Sequence, residues 1–336
     1  VTSTRAIENV VVFGGGAWGT ALALVAARAG RQTTLWLRDP DVAAAIRDHG
    51  RNERALPAIR LDRSFAVSTD LAVAAKADLV VVTVPAQSAG GLLRALAPFL
   101  STATPVLVAA KGLEHGTRAL MTEVVAREIP GAIPAILSGP SFADDVARLL
   151  PTAVTIAAHA MTQAERIAAA LGSASFRPYA SDDPTGVQIG GALKNVVAIA
   201  AGIVAGKGLG ASARAALTAR GFAELNRLGR ALGANPSTLM GLSGLGDLVL
   251  SATSAKSRNY ALGVGIGQGQ PIEALTGAGA KLAEGAYTAS VAIELAAAHG
   301  VDMPISTAVA AVLAGQLNVD AAVENLMSRP LRREGP

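Results

Sequence analysis

The stretch GVQIGGALKNVVAIAAGIVAG, residues 186–206, carries one charged side chain, Lys194, in an otherwise apolar, glycine-rich run. An ammonium ion in such a frame loses hydration, which works against its charged form. A free lysine titrates near ~10.4, too high for an efficient base at neutral pH, and burial brings that value down. A second cation such as Lys111 would lower it further, and Asp247, if adjacent, would act the opposite way. Lys194 is thus either a snorkelling stem or a proton donor and acceptor for a carbonyl-alcohol interconversion. Asn195 beside it could bond a substrate or orient the lysine.

A second group lies in GLGDLVLSATSAKSRNY (244–260), which presents Asp247, Ser251, Ser257, Arg258 and Asn259. If 247–251 is helical, Asp247 and Ser251 share a face one turn apart. The forked guanidinium of Arg258, with the Asn259 amide, suits a phosphate or carboxylate. As an isolated loop, SAKSRN would be a solvated turn.

The N-terminal stretch VVFGGGAWGTALA places Gly14, Gly16 and Gly19 in G-x-G-x-x-G spacing, between a strand and a helix. The first glycine permits the tight turn, the second lets a pyrophosphate approach the backbone, and the third lets helix pack on strand. The phosphates would rest on the N–H groups of the helix N-terminus. In TLWLRDP the second strand ends at Arg38, with Asp39 just beyond. A guanidinium suits a 2′-phosphate, so NADP is the preferred cofactor and NAD the lesser one.

The elements that must position these groups alternate. Apolar runs at 9–13, 33–37, 78–84, 105–110 and 134–138 read as parallel strands buried on both faces, with two more at 152–158 and 175–180. Helical stretches such as 18–29, 86–97 and 117–129 lie between them, the pattern of a doubly wound, mostly parallel sheet. Past about Pro184 the strands stop, and 189–204, 211–232, 285–298 and 305–315 read as helices. GLSGLGDLVLS and GVGIGQGQP read as turns and short connections. The domains are therefore 1–185 for the sheet and 186–328 for the all-α part, with 329–336 a frayed tail. Lys194 falls just past the junction, where clefts commonly hold ligands.

Loops after three of these strands, VPAQ (84–87), AAKGLE (109–114) and LSGPSFADDVA (137–147), border that crevice. Lys111 points a cation toward it. Ser141 and Asp144 make an S-x-x-D capping box, and capping competes with any substrate contact for that serine.

Composition removes other classes. With no cysteine there is no disulfide, thiolate nucleophile or Cys-ligated zinc, and His49, His115, His159 and His299 show no ligand spacing, so no metal is expected. Aromatics at 3% and a net charge of +4 give no nucleic-acid surface. The N-terminus superficially resembles a signal peptide, but Glu8 and three successive glycines break it. Elsewhere no uninterrupted apolar run reaches the ~20 residues of a membrane helix, so the expectation is a soluble chain without membrane insertion.

In combination, GGGAWGTALA, AAKGLE, LSGPSFA, GVQIGGALKNVVAIAAG, GLGDL, KSRN and AEG resemble the bacterial NAD(P)-dependent glycerol-3-phosphate dehydrogenases, in order from about residue 9 to 320. The resemblance implies a Rossmann-like sheet domain followed by an all-α C-terminal domain. It implies reversible reduction of dihydroxyacetone phosphate to glycerol 3-phosphate for glycerophospholipid synthesis, by a cytoplasmic enzyme, as a homodimer. Carried over, Gly14, Gly16, Ala17, Trp18, Gly19, Arg38, Lys111, Ala143 and Arg258 would line the dinucleotide, and Leu282 and Glu284 would close over it. Lys111, Gly139, Ser141, Lys194, Asp247, Ser257, Arg258 and Asn259 would hold the substrate, with Lys194 moving the proton and Asn195 and Asp247 beside it. The family usually has serine where this chain has Ala86. Two alternatives stand beside this: another dehydrogenase of the 6-phosphogluconate dehydrogenase-like superfamily, and a protein that senses NAD(P) without chemistry.

Overall fold

The computed structural model describes residues 6–330 apart from 63 and 278–281. Residues 331–336 of the expected frayed tail lie outside the described residues. The first half is one eight-stranded sheet, β1 (Asn9–Phe13), β2 (Gln32–Trp36), β3 (Ala66–Ser68), β4 (Leu79–Val82), β5 (Pro105–Val108), β6 (Ile133–Ser138), β7 (Thr152–Ala158) and β8 (Phe176–Ser181). The strands lie in the order β3-β2-β1-β4-β5-β6-β7-β8. All neighbours pair in parallel except β6 and β7. β4 and β5 are buried at every residue, as expected of strands covered on both faces. β3 went unpredicted. It is three residues long, too short to show a periodicity.

The sheet's helices are α1 (Ala17–Arg28), α2 (Pro40–His49), α3 (Ala86–Leu96), α4 (Met121–Glu128), α5 (Ala143–Ala147) and α6 (Met161–Leu171). After β8 the described chain is helical: α7 (Pro184–Gly206), α8 (Ala211–Ala231), α9 (Pro236–Met240), α10 (Asp247–Thr253), α11 (Arg258–Gly267), α12 (Ile272–Thr276), α13 (Glu284–Ala298), α14 (Pro304–Leu313) and α15 (Val319–Met327). Leu22, Leu24, Leu35 and Ile156 pack on one face of the sheet, and Val80, Val82, Leu93 and Val124 on the other. The strand order turns back between β1 and β4, so the crevice of the doubly wound plan opens at their carboxyl ends.

α7 organises the second half. By length and mean hydropathy (1.7) it would cross a membrane, but 89% of its apolar window is buried inside the protein. It is a core helix. Its Asp183 cap accepts from Gly186 N at 2.8 Å, and Pro184 occupies the first turn, where its missing N–H is harmless. Two readings of the glycine-rich segments need correction. Residues 258–267, including GVGIG, form α11 rather than a connection. A Cβ at Gly263 or Gly267 would collide with the Ile199 and Ile203 carbonyls, so these glycines let two helix backbones touch. Likewise GLSGLGDLVLS is a π-helical turn over Leu242–Gly246 running directly into α10.

Candidate active site

The loop after β1 has the form that a pyrophosphate needs. Gly14 has φ +127°, a conformation L side chains rarely adopt, and a Cβ there would run into Thr83. A Cβ at Gly19 would strike the Gly14 carbonyl, whereas one at Gly16 would meet nothing within 4 Å. The outer glycines hold helix to strand and the middle one faces open space. Gly16 also caps α1 without any side-chain bond, leaving first-turn N–H groups available to an anion. The indole Nε1 of Trp18 is buried with no hydrogen-bond partner among the described residues. These residues fit a dinucleotide.

The charged centre forms where the β5 and β6 loops meet α7 and α10. Lys111 Nζ donates to Asp247 Oδ2 at 2.6 Å and to the Gly139 carbonyl at 2.8 Å. Lys194 Nζ donates to Asp247 Oδ1 at 2.9 Å and to Ser251 Oγ at 2.6 Å. One carboxylate therefore holds two ammonium groups, one on each oxygen. Lys194 is 7% exposed and Asp247 1%. Burial pulls the Lys194 pKa down to about 8; Lys111 adds to the fall, while Asp247 and Glu284 oppose it. Burial also works to raise the Asp247 carboxyl, but the two ammonium groups outweigh it and hold it below the ordinary carboxylate range. Lys194 thus stands ready to exchange a proton near neutrality.

α13 closes the site. Glu284 accepts from Ala86 N at 3.0 Å and Lys111 N at 3.3 Å, tying the helical half to the loops after β4 and β5. Ala86 is buried, and its Cβ lies 2.9 Å from where a Cβ on Gly112 would stand. Pro85, Gly112, Leu282, Tyr287 and Thr288 border a cavity of about 240 Å³ beside it. Gln87 locks the same two loops together, donating to the Leu113 carbonyl at 2.8 Å and accepting from His115 N at 2.9 Å.

Two family models divide the chain between them: the NAD-dependent glycerol-3-phosphate dehydrogenase N-terminus matches residues 9–164 and its C-terminus residues 183–324. Glycerol-3-phosphate dehydrogenase [NAD(P)+] of Bradyrhizobium diazoefficiens is 57% identical across 98% of this chain and 99% of its own length. The chain belongs to the NAD-dependent glycerol-3-phosphate dehydrogenase family. The corresponding enzyme of Rhodopseudomonas palustris (strain BisB5) is 56% identical over 98% of the chain and 99% of its own. The crystal structure of glycerol-3-phosphate dehydrogenase from Coxiella burnetii superposes with a TM-score of 0.91 at 35% identity, covering 96% of this chain and 99% of the other.

In this dehydrogenase the fold brings Lys111, Gly139, Ser141, Lys194, Asn195, Asp247, Asn259 and Glu284 into one hydrogen-bonded group. Ser257 caps α11, accepting from Tyr260 N at 3.3 Å, and Arg258 beside it is exposed and unpaired among the described residues. Ala17 and Trp18 open α1 and Ala143 opens α5. Arg38 is exposed past the end of β2. The expected capping box at Ser141 and Asp144 does not form. Phe142 is the cap of α5, and Ser141 Oγ instead donates to the Gly139 carbonyl at 3.0 Å.

Two contributors carried no assigned role in the sequence. Ser251, though placed one turn from Asp247, was given no function, yet it completes the Lys194 ammonium shell. Asn52, fully buried, donates to the Gly15 carbonyl and to Thr20 Oγ1, each at 2.9 Å, and so holds the glycine loop. A lone loop asparagine gives no signal of that kind.

Proposed function

We infer that this chain reduces dihydroxyacetone phosphate reversibly to sn-glycerol 3-phosphate, with Lys194 as the group that gives and takes the proton. The observation that carries this is the buried ammonium of Lys194, 2.9 Å from Asp247 in the seam between the sheet and the helical half. When bound, the dinucleotide supplies and removes the hydride at the substrate carbon. Lys194 protonates the oxygen as its negative charge develops, and Ser251 and Asp247 keep its Nζ aimed. The Lys111 ammonium adds positive charge to the same pocket, which stabilises a developing oxyanion. Arg258, exposed at the start of α11, and the Ser257 hydroxyl hold the phosphate. Mixing the purified protein with NADPH and dihydroxyacetone phosphate should oxidise the cofactor, seen as loss of its near-ultraviolet absorbance. Cofactor binding without any such loss would favour a sensing protein instead.

NADP is the preferred cofactor on this reading. The Asp39 carboxylate, the group placed to read ribose hydroxyls, instead accepts from Asp41 N and Val42 N as the cap of α2 and pairs with Arg54 at 3.1 Å. Arg38 remains open for a 2′-phosphate. Arg38→Ala should lower kcat/KM with NADPH about tenfold while changing NADH by less than about twofold. Equal losses with both cofactors would remove Arg38 from this role. The reading also carries a cytoplasmic homodimer serving glycerophospholipid synthesis, whose assembly light scattering checks.

A further inference from the structure

We propose that Asn52 is a positioning residue for the cofactor: from outside the glycine loop, it fixes the direction in which the Gly16 N–H is offered to a pyrophosphate. This deepens the dinucleotide reading of that loop and rests on it. Asn52 Nδ2 donates to the Gly15 carbonyl and to Thr20 Oγ1, each at 2.9 Å. Its Oδ1 accepts from Ala55 N at 3.2 Å. Both N–H groups and the oxygen are therefore engaged. An amide turned over would set oxygen against the Gly15 carbonyl and NH2 against the Ala55 N–H, so one orientation fits.

The peptide units of this loop are planar and trans. The Gly15 carbonyl and the Gly16 N–H belong to one such unit and point in opposite directions. Holding the carbonyl on Asn52 therefore aims the N–H away from it. The surroundings agree: Asn52 is 0% exposed, whereas Gly16 is exposed and a Cβ on it would meet nothing within 4 Å. The preceding unit is held in the same way. Thr83 Oγ1, just past β4, shares its proton between the Phe13 and Gly14 carbonyls at 3.0 and 3.2 Å, which sets the Gly15 N–H. The Gly14 N–H is already taken by the Trp36 carbonyl at 2.9 Å.

Asn52 can act as a clamp because its own place is fixed. Its carbonyl accepts from Leu56 N at 2.8 Å, closing a turn, and Leu56, Ile59 and Leu61 are buried in the core that Leu22, Leu24 and Leu35 share. Its second anchor, Thr20, is itself 0% exposed on α1, and its N–H donates to the Gly16 carbonyl at 2.9 Å. The clamp answers a need of the sequence. The freedom that lets three successive glycines make the turn also leaves them without a preferred direction, and a side chain from elsewhere supplies it.

The experiment is calorimetric titration of NADPH and of NADH into Asn52→Ala, Thr20→Val and Thr20→Ser, with thermal unfolding of the cofactor-free proteins beside it. Asn52→Ala should weaken both cofactors about tenfold or more and by equal factors, because the pyrophosphate is common to both. Thr20→Val removes one anchor of the amide and should weaken both about threefold, while Thr20→Ser keeps the hydroxyl and should bind as the parent does. At saturating cofactor, kcat and the KM for dihydroxyacetone phosphate should stay within about twofold of the parent. If Asn52→Ala does not fold, the Thr20 pair decides, and Thr20→Val binding no worse than Thr20→Ser overturns the proposal. An Asn52→Ala protein that melts lower yet binds both cofactors within about twofold of the parent also overturns it, leaving a structural contact. So does a loss confined to NADPH, since the turn would then act at the ribose end through Arg54 and Asp39. Binding needs no turnover: a parent that binds but does not reduce dihydroxyacetone phosphate ends the enzymatic reading alone, and one that binds neither cofactor ends both.

Discussion

Lys194→Ala should lower turnover by a factor of about 10² or more while leaving NADPH affinity within about twofold. The two halves of that expectation have separate origins. The loop whose form fits a dinucleotide is built from Gly14, Gly16, Gly19 and Asn52 on the sheet domain, and Lys194 touches none of them. Its ammonium bonds only Asp247 and Ser251 among the described residues, so on the proposed function what its loss removes is the proton and the charge meant for the reacting oxygen. The pH profile of the parent enzyme follows from the same group. With a pKa of about 8, the donor form is full at neutral pH, and kcat/KM for reduction should fall as pH rises through that value. Oxidation needs the neutral amine and should rise over the same interval. A reduction profile flat to well above that pH, or an alanine variant of near-native turnover, would end the case for Lys194.

How much of this was legible in the chain depends on the range over which each signal acts. β1, β4 and β5 were readable because strands buried on both faces are continuous apolar runs. Each fingerprint glycine was readable because its function is local: a turn, a close approach, a helix packed on a strand. GVGIG misled for a physical reason, since glycine normally interrupts helices, and only the presence of α7 alongside makes it favourable there. Lys194 could be singled out because an isolated charge in an apolar run is conspicuous. Its dependence on Lys111 and Asp247 could be stated only as a condition, because those groups come from other elements. The hydrogen bonds of Asn195 with Lys111 and Asn259 lay beyond reach altogether, joining residues 84 and 64 positions apart. Neither asparagine carries any periodicity that would announce a partner so distant.

Asp247→Asn is the second large expectation, and it separates the two directions of the reaction. The carboxylate opposes the fall in the Lys194 pKa, so removing its charge lets burial and Lys111 depress that pKa further below about 8. At neutral pH less of the donor form remains, and reduction should drop by roughly tenfold or more. Oxidation, which uses the neutral amine, should lose distinctly less, and its profile should move to lower pH in step. Stability carries the same signature. Two ammonium groups left without their shared counter-ion should destabilise the fold by about 3–5 kcal/mol where Lys194 is charged. A lysine whose pKa is depressed on folding binds more protons when unfolded, between its folded value and its ordinary value of 10.5. Stability of the variant should therefore recover in part as pH is raised through the lowered Lys194 pKa, and fall again toward its minimum as pH drops below it. Thermal melts across that range, set beside rates in both directions, test the assignment twice. If the reduction limb stays where the parent has it, or moves upward, the group titrating there is not a lysine held by Asp247.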